Sequence, residues 1–348
     1  MIGIGVIGYG YWGPNLARCI SEAERSELAS IADFSPAARK RAASRYPAAR
    51  IEENWQTLVS DPRVDAVVVA TPTRWHFEIA LAALRSGKHV LIEKPMASSS
   101  REAAILIEEA DRRGLTLMVD HTFVYTGAVQ KIRSLITDGA VGDVYYYDST
   151  RINLGLFQSD VNVIWDLAVH DLAIMDFVID ARPLAVSATG AGHIPGSPEN
   201  MAHITLYLEG GATAHLNVNW LAPVKIRRTL IGGSQRMIVY DDVEPSEKVK
   251  VYDRGVSIAE ESGSTTKPDE IHRMLLNYRM GDVWVPQLSV KEALLTEIEH
   301  FVTCIENSKK PLTGGTSGHR VVTLLEGATQ SLKRRGYPVE LAEMKAAS

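Results

Sequence analysis

The chain has 348 residues, 45% hydrophobic and 23% charged, with a net charge of −5. That length exceeds one ordinary core and suits two domains of a soluble globular protein. There is no basic stripe of the kind nucleic-acid binding requires, and no run of about 18 apolar residues that would span a bilayer. Neither nucleic acid nor membrane is therefore expected as a partner. Cys19 and Cys304 form no disulfide framework or zinc cluster and fit a reducing cytoplasm. The apolar start lacks a basic leader and reads as a buried strand, not a signal peptide.

The first third alternates. Short apolar runs at 2–7, 28–32, 65–70, 89–92 and 115–119 read as strands. Helical patterns at 15–20, 36–45, 76–86 and 99–113 separate them. Continuous apolar strands interleaved with helices predict a parallel sheet covered on both faces. After about residue 121 the pattern changes. Helices are predicted at 129–136 and, as an amphipathic helix, at 165–179. Strands are predicted at 144–151, 185–191, 203–208, 212–220, 226–231, 236–240 and 248–252, with a Gly210-Gly211 turn. Such a run of strands predicts a largely antiparallel sheet in an α+β second domain. A polar loop at 256–267, closing helices at 290–306 and 318–335, and a frayed tail after Leu341 complete the expectation.

Gly8-Tyr9-Gly10-Tyr11-Trp12-Gly13 fits G-x-G-x-x-G, directly after a strand and opening a helix. In that setting the glycines allow a tight turn and close approach of a diphosphate to backbone. The helix N-terminus adds N–H donors and a favourable dipole. Pro14 suits the first helical turn. Asp33, 20 residues beyond Gly13 at the end of the second strand, can accept hydrogen bonds from a ribose 2′-hydroxyl and would repel a 2′-phosphate. This favours NAD over NADP, although Arg39, Lys40 and Arg41 nearby keep NADP open. The plainer alternative is a glycine turn with a helix-capping Asp33.

Ala70-Thr71-Pro72 and Glu93-Lys94-Pro95 end the next two predicted strands. Ligands of open parallel sheets sit at these carboxyl ends. Lys94 is therefore placed for chemistry, with Pro95 restricting its backbone; the alternative is a solvated loop lysine. Asp166 and His170 are four apart and share a helix face. Alcohol oxidation needs a base near neutrality, and histidine, with an ordinary pKa of about 6.5, suits it. The alternative is a surface i,i+4 pair. His170 with Asp166 and Asp171 lacks a third group at a metal-binding spacing, so no metal is expected. No G-x-S-x-G elbow supports a serine hydrolase.

Together these residues resemble the Gfo/Idh/MocA oxidoreductases. The resemblance is carried by the glycine hexad, Ala70-Thr71-Pro72 with His76, Glu93-Lys94-Pro95, and Asp166 with His170-Asp171. It implies a Rossmann NAD(P)-binding domain at 1–121. An α+β substrate domain at 122–348 follows, with an open sheet that makes a homodimer or homotetramer. It implies dinucleotide contacts from Gly8, Gly10, Tyr11, Trp12, Gly13, Asp33, Thr71, Pro72, His76, Glu93 and Lys94. It further implies that Lys94 contacts the reacting oxygen, that His170 is the acid/base, and that Asp166 binds or orients substrate. Residues 151–155, Trp165 and 227–240 resemble members that oxidise a UDP-N-acetylhexosamine or its uronate at C3. His121, Arg151, Asn153, Trp165, Asp166 and Arg227 are then substrate candidates. Arg151, Arg227 and Arg228 can meet a diphosphate or serve as strand-face charges. The expected function is NAD(P)-dependent hydride transfer between the nicotinamide and a secondary hydroxyl of a sugar, foremost a nucleotide sugar such as a UDP-N-acetylhexosamine or its uronate at C3. The alternatives are a dehydrogenase of a free sugar, inositol or glycoside, and a non-catalytic NAD-sensing protein.

Overall fold

The computed structural model describes residues 1–155, 161–258 and 276–341. The tail after Leu341 and most of the expected loop at 256–267 lie outside them. The first three positions of that loop instead end a strand.

The first sheet is six-stranded and all parallel. Its strands are β1 (Ile2–Ile7), β2 (Ser26–Ala32), β3 (Arg50–Glu52), β4 (Ala66–Val69), β5 (His89–Glu93) and β6 (Leu117–Asp120). Their order is β3-β2-β1-β4-β5-β6, so it reverses between β1 and β4, where such sheets open a ligand crevice. The Ala66-Val67-Val68-Val69 run is wholly buried because successive residues enter opposite layers. Val67 and Val69 pack with α3 (Trp55–Ser60), α4 (His76–Arg85) and α5 (Ser100–Arg113). Ala66 and Val68 pack with α1 (Gly13–Glu22) and α2 (Pro36–Arg45). A continuous apolar strand is what two covered faces require. β3 and α3 were not expected; three and six residues are too short to show a period.

After α6 (Gly127–Thr137) the chain builds a nine-stranded sheet. Its strands are β7 (Val144–Leu154), β8 (Pro183–Ala191), β9 (Met201–Leu208), β10 (Thr213–Asn219), β11 (Leu221–Gly233), β12 (Met237–Asp241), β13 (Val249–Ile258), β14 (Leu276–Trp284) and β15 (Val339–Glu340). The order is β14-β13-β12-β11-β7-β10-β9-β8-β15. Every neighbouring pair is antiparallel except β7 with β10. The sheet is thus mixed but mostly antiparallel, as expected.

One face of this sheet carries a core with Ile132 of α6, Leu172 of α7 (Val169–Val178) and Leu325 of α9 (Gly315–Lys333). α7 corrects the expected amphipathic helix at 165–179. It is preceded by a π-helical turn, Ile164–Ala168, and is buried on nearly all sides, from Val169 through Val178. Sheet, α6 and α9 enclose it, so it has no solvent stripe.

The chain then returns to its beginning. Leu294, Ile298, Phe301 and Val302 of α8 (Ala293–Asn307) pack with Ile4, Leu16 and Ile20 in the core beneath β1. α9 joins both cores, with Val322 in the first and Val321, Leu324 and Leu325 in the second.

Candidate active site

The glycine loop follows β1. Gly8 has φ +98°, and a Cβ there would lie 2.4 Å from the Ala70 carbonyl oxygen. A Cβ on Gly13 would lie 2.1 Å from the Gly8 carbonyl oxygen. At both positions backbone leaves room only for hydrogen. Gly10 differs, since its Cβ would meet nothing within 4 Å. That side of the loop is open to a ligand. No side chain caps α1, and Tyr11 is exposed at its mouth. An open glycine beside an uncapped helix N-terminus fits a dinucleotide diphosphate.

Asp33 is not a helix cap. Its carboxylate accepts the Tyr9 N–H at 2.6 Å and the Ser35 N–H at 2.8 Å, while Ser35 caps α2. Asp33 therefore ties the glycine loop to the end of β2. Arg39 is occupied by the Asp33 and Phe34 carbonyls and by Glu53. Arg41 reaches the Tyr9 carbonyl at 3.4 Å.

Two strand ends meet across His76. Its buried ring contacts the Thr71 carbonyl at 2.7 Å and the Pro95 carbonyl at 2.9 Å. Burial pushes its pKa down. His76 thus braces the Thr71-Pro72 and Lys94-Pro95 loops against each other. The Thr71 hydroxyl and one Glu93 carboxyl oxygen are buried there with no hydrogen-bond partner among the described residues.

Lys94 Nζ donates to the Asp166 carbonyl at 3.2 Å and to its carboxylate at 3.4 Å. Asp166 Oδ2 also accepts the Trp220 indole N–H at 3.0 Å. The carboxylate is therefore fixed from both domains. Asp166 lies in the π-helical turn and His170 in the first turn of α7, a setting common at functional sites. The His170 ring lies edge-on to Phe123, with centroids 5.1 Å apart. Its pKa is held well below the usual histidine value, first by burial and then by the positive field of Lys94 and Arg151. A histidine so placed is neutral at pH 7 and free to accept a proton. His121 faces the same space. It is buried, neither ring nitrogen has a partner among the described residues, and burial pushes its pKa down to about 4.

The remaining substrate candidates divide. Arg151 is buried in an ion pair with Asp171, Nε to Oδ2 2.6 Å and Nη2 to Oδ1 3.2 Å. It is thus not a free strand-face charge; its Nη1 has no hydrogen-bond partner among the described residues. Its guanidinium lies 4.6 Å from the centroid of the Phe123 ring, and that of Arg227 lies 5.7 Å from it. Arg227 is half-buried and pairs with Asp242 at 3.3 Å. Arg228 is exposed, and Asn153 is half-buried two residues beyond Arg151 on β7. The Trp165 indole donates to Thr329 of α9 at 2.9 Å, which commits it to the seam between the cores. Sequence reasoning missed Trp220 and Phe123, whose roles arise from partners distant in the chain.

Two models of one family match the chain in tandem. The NAD-binding Rossmann-fold domain of the Gfo/Idh/MocA oxidoreductases matches residues 2–121, and their C-terminal domain matches 129–239. The chain is 29% identical over 319 residues to the UDP-N-acetylglucosamine 3-dehydrogenase of Acidithiobacillus ferrooxidans, covering 91% of this chain and 93% of that one. A solved structure of that enzyme superposes with TM-score 0.79 at 26% identity, covering 96% and 99% of the two chains. The scyllo-inositol 2-dehydrogenase (NAD(+)) of Bacillus subtilis is 23% identical, covering 98% of this chain and 95% of that one. The chain belongs to the Gfo/Idh/MocA family. It is an oxidoreductase with an NAD-binding Rossmann domain.

Proposed function

We propose that the protein oxidises a secondary hydroxyl of a sugar with NAD, and that a UDP-N-acetylhexosamine, or its uronate, is oxidised at C3. The observation that carries the reaction is the convergence of Lys94, Asp166 and His170 at the carboxyl end of β5. The substrate class is supported by the likeness to the UDP-N-acetylglucosamine 3-dehydrogenase over 91% of the chain. Bound NAD would supply the hydride acceptor; Gly8, Gly10, Gly13 and Asp33 would hold it. The Lys94 ammonium donates to the substrate oxygen and stabilises the negative charge that grows as the C–H bond breaks. Neutral His170 takes the hydroxyl proton. Asp166, gripped by Trp220, aims the Lys94 amine. A panel of UDP-sugars, free sugars and inositols, followed by absorbance of reduced nicotinamide, tests the reading. Turnover of a UDP-N-acetylhexosamine above all others is expected. The second reading, a free sugar or inositol, is favoured by the burial of Arg151, which removes one cation from diphosphate recognition. No turnover of any member despite NAD binding would favour a sensor.

Asp33 makes NAD the expected dinucleotide over NADP. Asp33→Ala is expected to narrow that preference. It also removes the acceptor of the Tyr9 and Ser35 N–H groups, so NAD binding itself should weaken about tenfold or more, because hydrogen bonds to charged groups contribute about 1.5–3 kcal/mol. Titrations with both dinucleotides check this; tighter NADP binding by the unmutated protein would remove the argument.

We further propose that the protein is cytoplasmic and assembles as a homodimer or homotetramer through the second sheet. On β9 the residues between the buried Ala202, Ile204, Leu206 and Leu208 include exposed His203 and Tyr207. Ile226 on β11 is exposed as well. The outer face thus mixes polar and aromatic groups and suits association between like subunits. Light scattering at micromolar concentration should give a dimer or tetramer mass; a monomer mass would sink the proposal.

A further inference from the structure

Glu297 lies on α8, remote in sequence from every site motif, yet it is completely buried. Neither of its carboxyl oxygens has a hydrogen-bond partner among the described residues. Glu93 Oε1 is in the same condition, while Oε2 accepts the Lys94 N–H at 3.1 Å. Asp120 stands beside both. It is the register partner of Glu93 across β5 and β6, and its charge adds to burial in holding both glutamates well above the usual carboxylate range. Asp120 itself is supplied with donors: the Trp12 indole at 3.1 Å, the Thr122 N–H at 3.2 Å and the Thr122 hydroxyl.

Three carboxyl groups in one buried space do not all ionise. A protonated carboxyl acquires an O–H donor, and Asp120 is the acceptor within reach. Protonation therefore turns one bare Glu297 oxygen into a donor and removes a buried charge, with the Thr122 hydroxyl as the other polar group facing it. The other titratable neighbours do not neutralise Glu297. Tyr125 is buried with its hydroxyl on Thr313 at 3.1 Å. His300, one turn along α8, packs its ring 5.5 Å from that of Tyr125. Lys94 is beside Glu93 but directs its amine to Asp166.

We propose that Glu297 is a positioning residue for the dinucleotide: as an un-ionised acid it donates to Asp120, and Asp120 in turn holds Trp12 and the glycine loop. The inference rests on the dinucleotide reading of that loop and not on the choice of sugar. Ionisation of Glu297 places a second negative charge against Asp120 and loosens its hold on Trp12.

The test is calorimetric titration of the full-length protein with NAD from pH 6 to 9, paired with thermal unfolding, for the unmutated chain, Glu297→Gln and Glu297→Leu. The unmutated protein should bind well at pH 6–7. Above the pH at which Glu297 ionises, it should lose affinity by up to about tenfold per pH unit. Glu297→Gln, a neutral donor of the same shape, should keep the neutral-pH affinity and flatten the alkaline loss. Glu297→Leu should bind weakly throughout. The unfolding arm follows from the sign of the linkage. The folded state retains a proton that the unfolded chain releases near the ordinary glutamate pKa, so stability falls as pH rises through that interval up to the folded value. Glu297→Gln should therefore gain in melting temperature relative to the unmutated chain as pH rises from 5 to 9. A Gln variant that binds as poorly as Leu, or whose relative melting temperature does not change with pH, overturns the proposal. Failure of the unmutated protein to bind NAD at any pH would instead overturn the dinucleotide reading, and the unfolding arm alone would then judge the un-ionised state of Glu297.

Discussion

His170→Ala is expected to turn over sugar at least a hundredfold more slowly than the unmutated enzyme while binding NAD almost unchanged. A positioned base contributes about 10²–10⁴ in rate, and His170 is in the second domain, away from the glycine loop. Lys94→Ala should fall by a comparable or larger factor, because one donor to a developing oxyanion is worth about 10²–10³. Lys94→Arg should not restore the rate. A guanidinium is planar and broader, and the site has fitted an amine between the Asp166 carbonyl and carboxylate. The pH profile adds a separate check. Burial and the neighbouring cations hold the His170 pKa well below its ordinary value. The base is then active when neutral, so kcat/KM should stay level from pH 8 down past pH 6.5 and fall only at more acidic pH. Binding titrations and a folding check on each variant separate chemistry from structure. A folded His170→Ala enzyme with normal turnover would remove His170 as the base and leave Lys94 or a water in that role.

The largest effect on stability is expected from the ion pair behind the site. Arg151 and Asp171 are each only a few per cent exposed. Asp171 also accepts the Ser149 hydroxyl at 2.8 Å. Removing one partner of such a pair leaves the other charge buried and alone, which costs about 3–5 kcal/mol. Asp171→Ala should therefore shift the denaturant midpoint of the second domain strongly downward. The double replacement Arg151→Met with Asp171→Leu should recover much of the loss, because the two desolvation penalties disappear together. Activity should separate the two roles of this helix. The double variant should remain slow even if stable, since His170 is next to Asp171 and the pair holds α7 against β7. A single Asp171→Ala change that left the midpoint in place would show that the pair does not anchor α7.

What the sequence made legible was local. Ala66 to Val69 could be read as a strand buried on both faces because no polar residue interrupts it. The glycine hexad and Asp33 fell in register with a strand and helix, and Lys94 fell at a strand end. Each of these readings needed only residues within a few turns of one another. The unread parts are long-range. Trp220 reaches Asp166 across 54 positions, and Trp12 reaches Asp120 across 108. Arg151 read either as a diphosphate contact or as a strand-face charge, and its pairing with Asp171, 20 positions away, was not visible. The helix at 165–179 read as amphipathic because Asp166 and His170 share one face while Leu167, Ile174 and Val178 mark an apolar one. In the fold Asp166 turns to Lys94, Asp171 to Arg151, and Asp176 to Arg320. Polar side chains with partners in the fold have no signature distinct from polar side chains in water.

The return of α8 to the core beneath β1 has a consequence for synthesis of the chain. Translation extends a polypeptide by about 5–20 residues per second, so some 15–60 seconds separate the emergence of Ile4 from that of Phe301. During that interval the side of the first sheet that α8 will cover lacks Leu294, Ile298, Phe301 and Val302. The nascent nucleotide-binding half must wait on the ribosome with an apolar flank uncovered, although its strands are all made within the first 120 residues. A chain halted before residue 293 should bind a hydrophobic dye and chaperones more strongly than the finished protein.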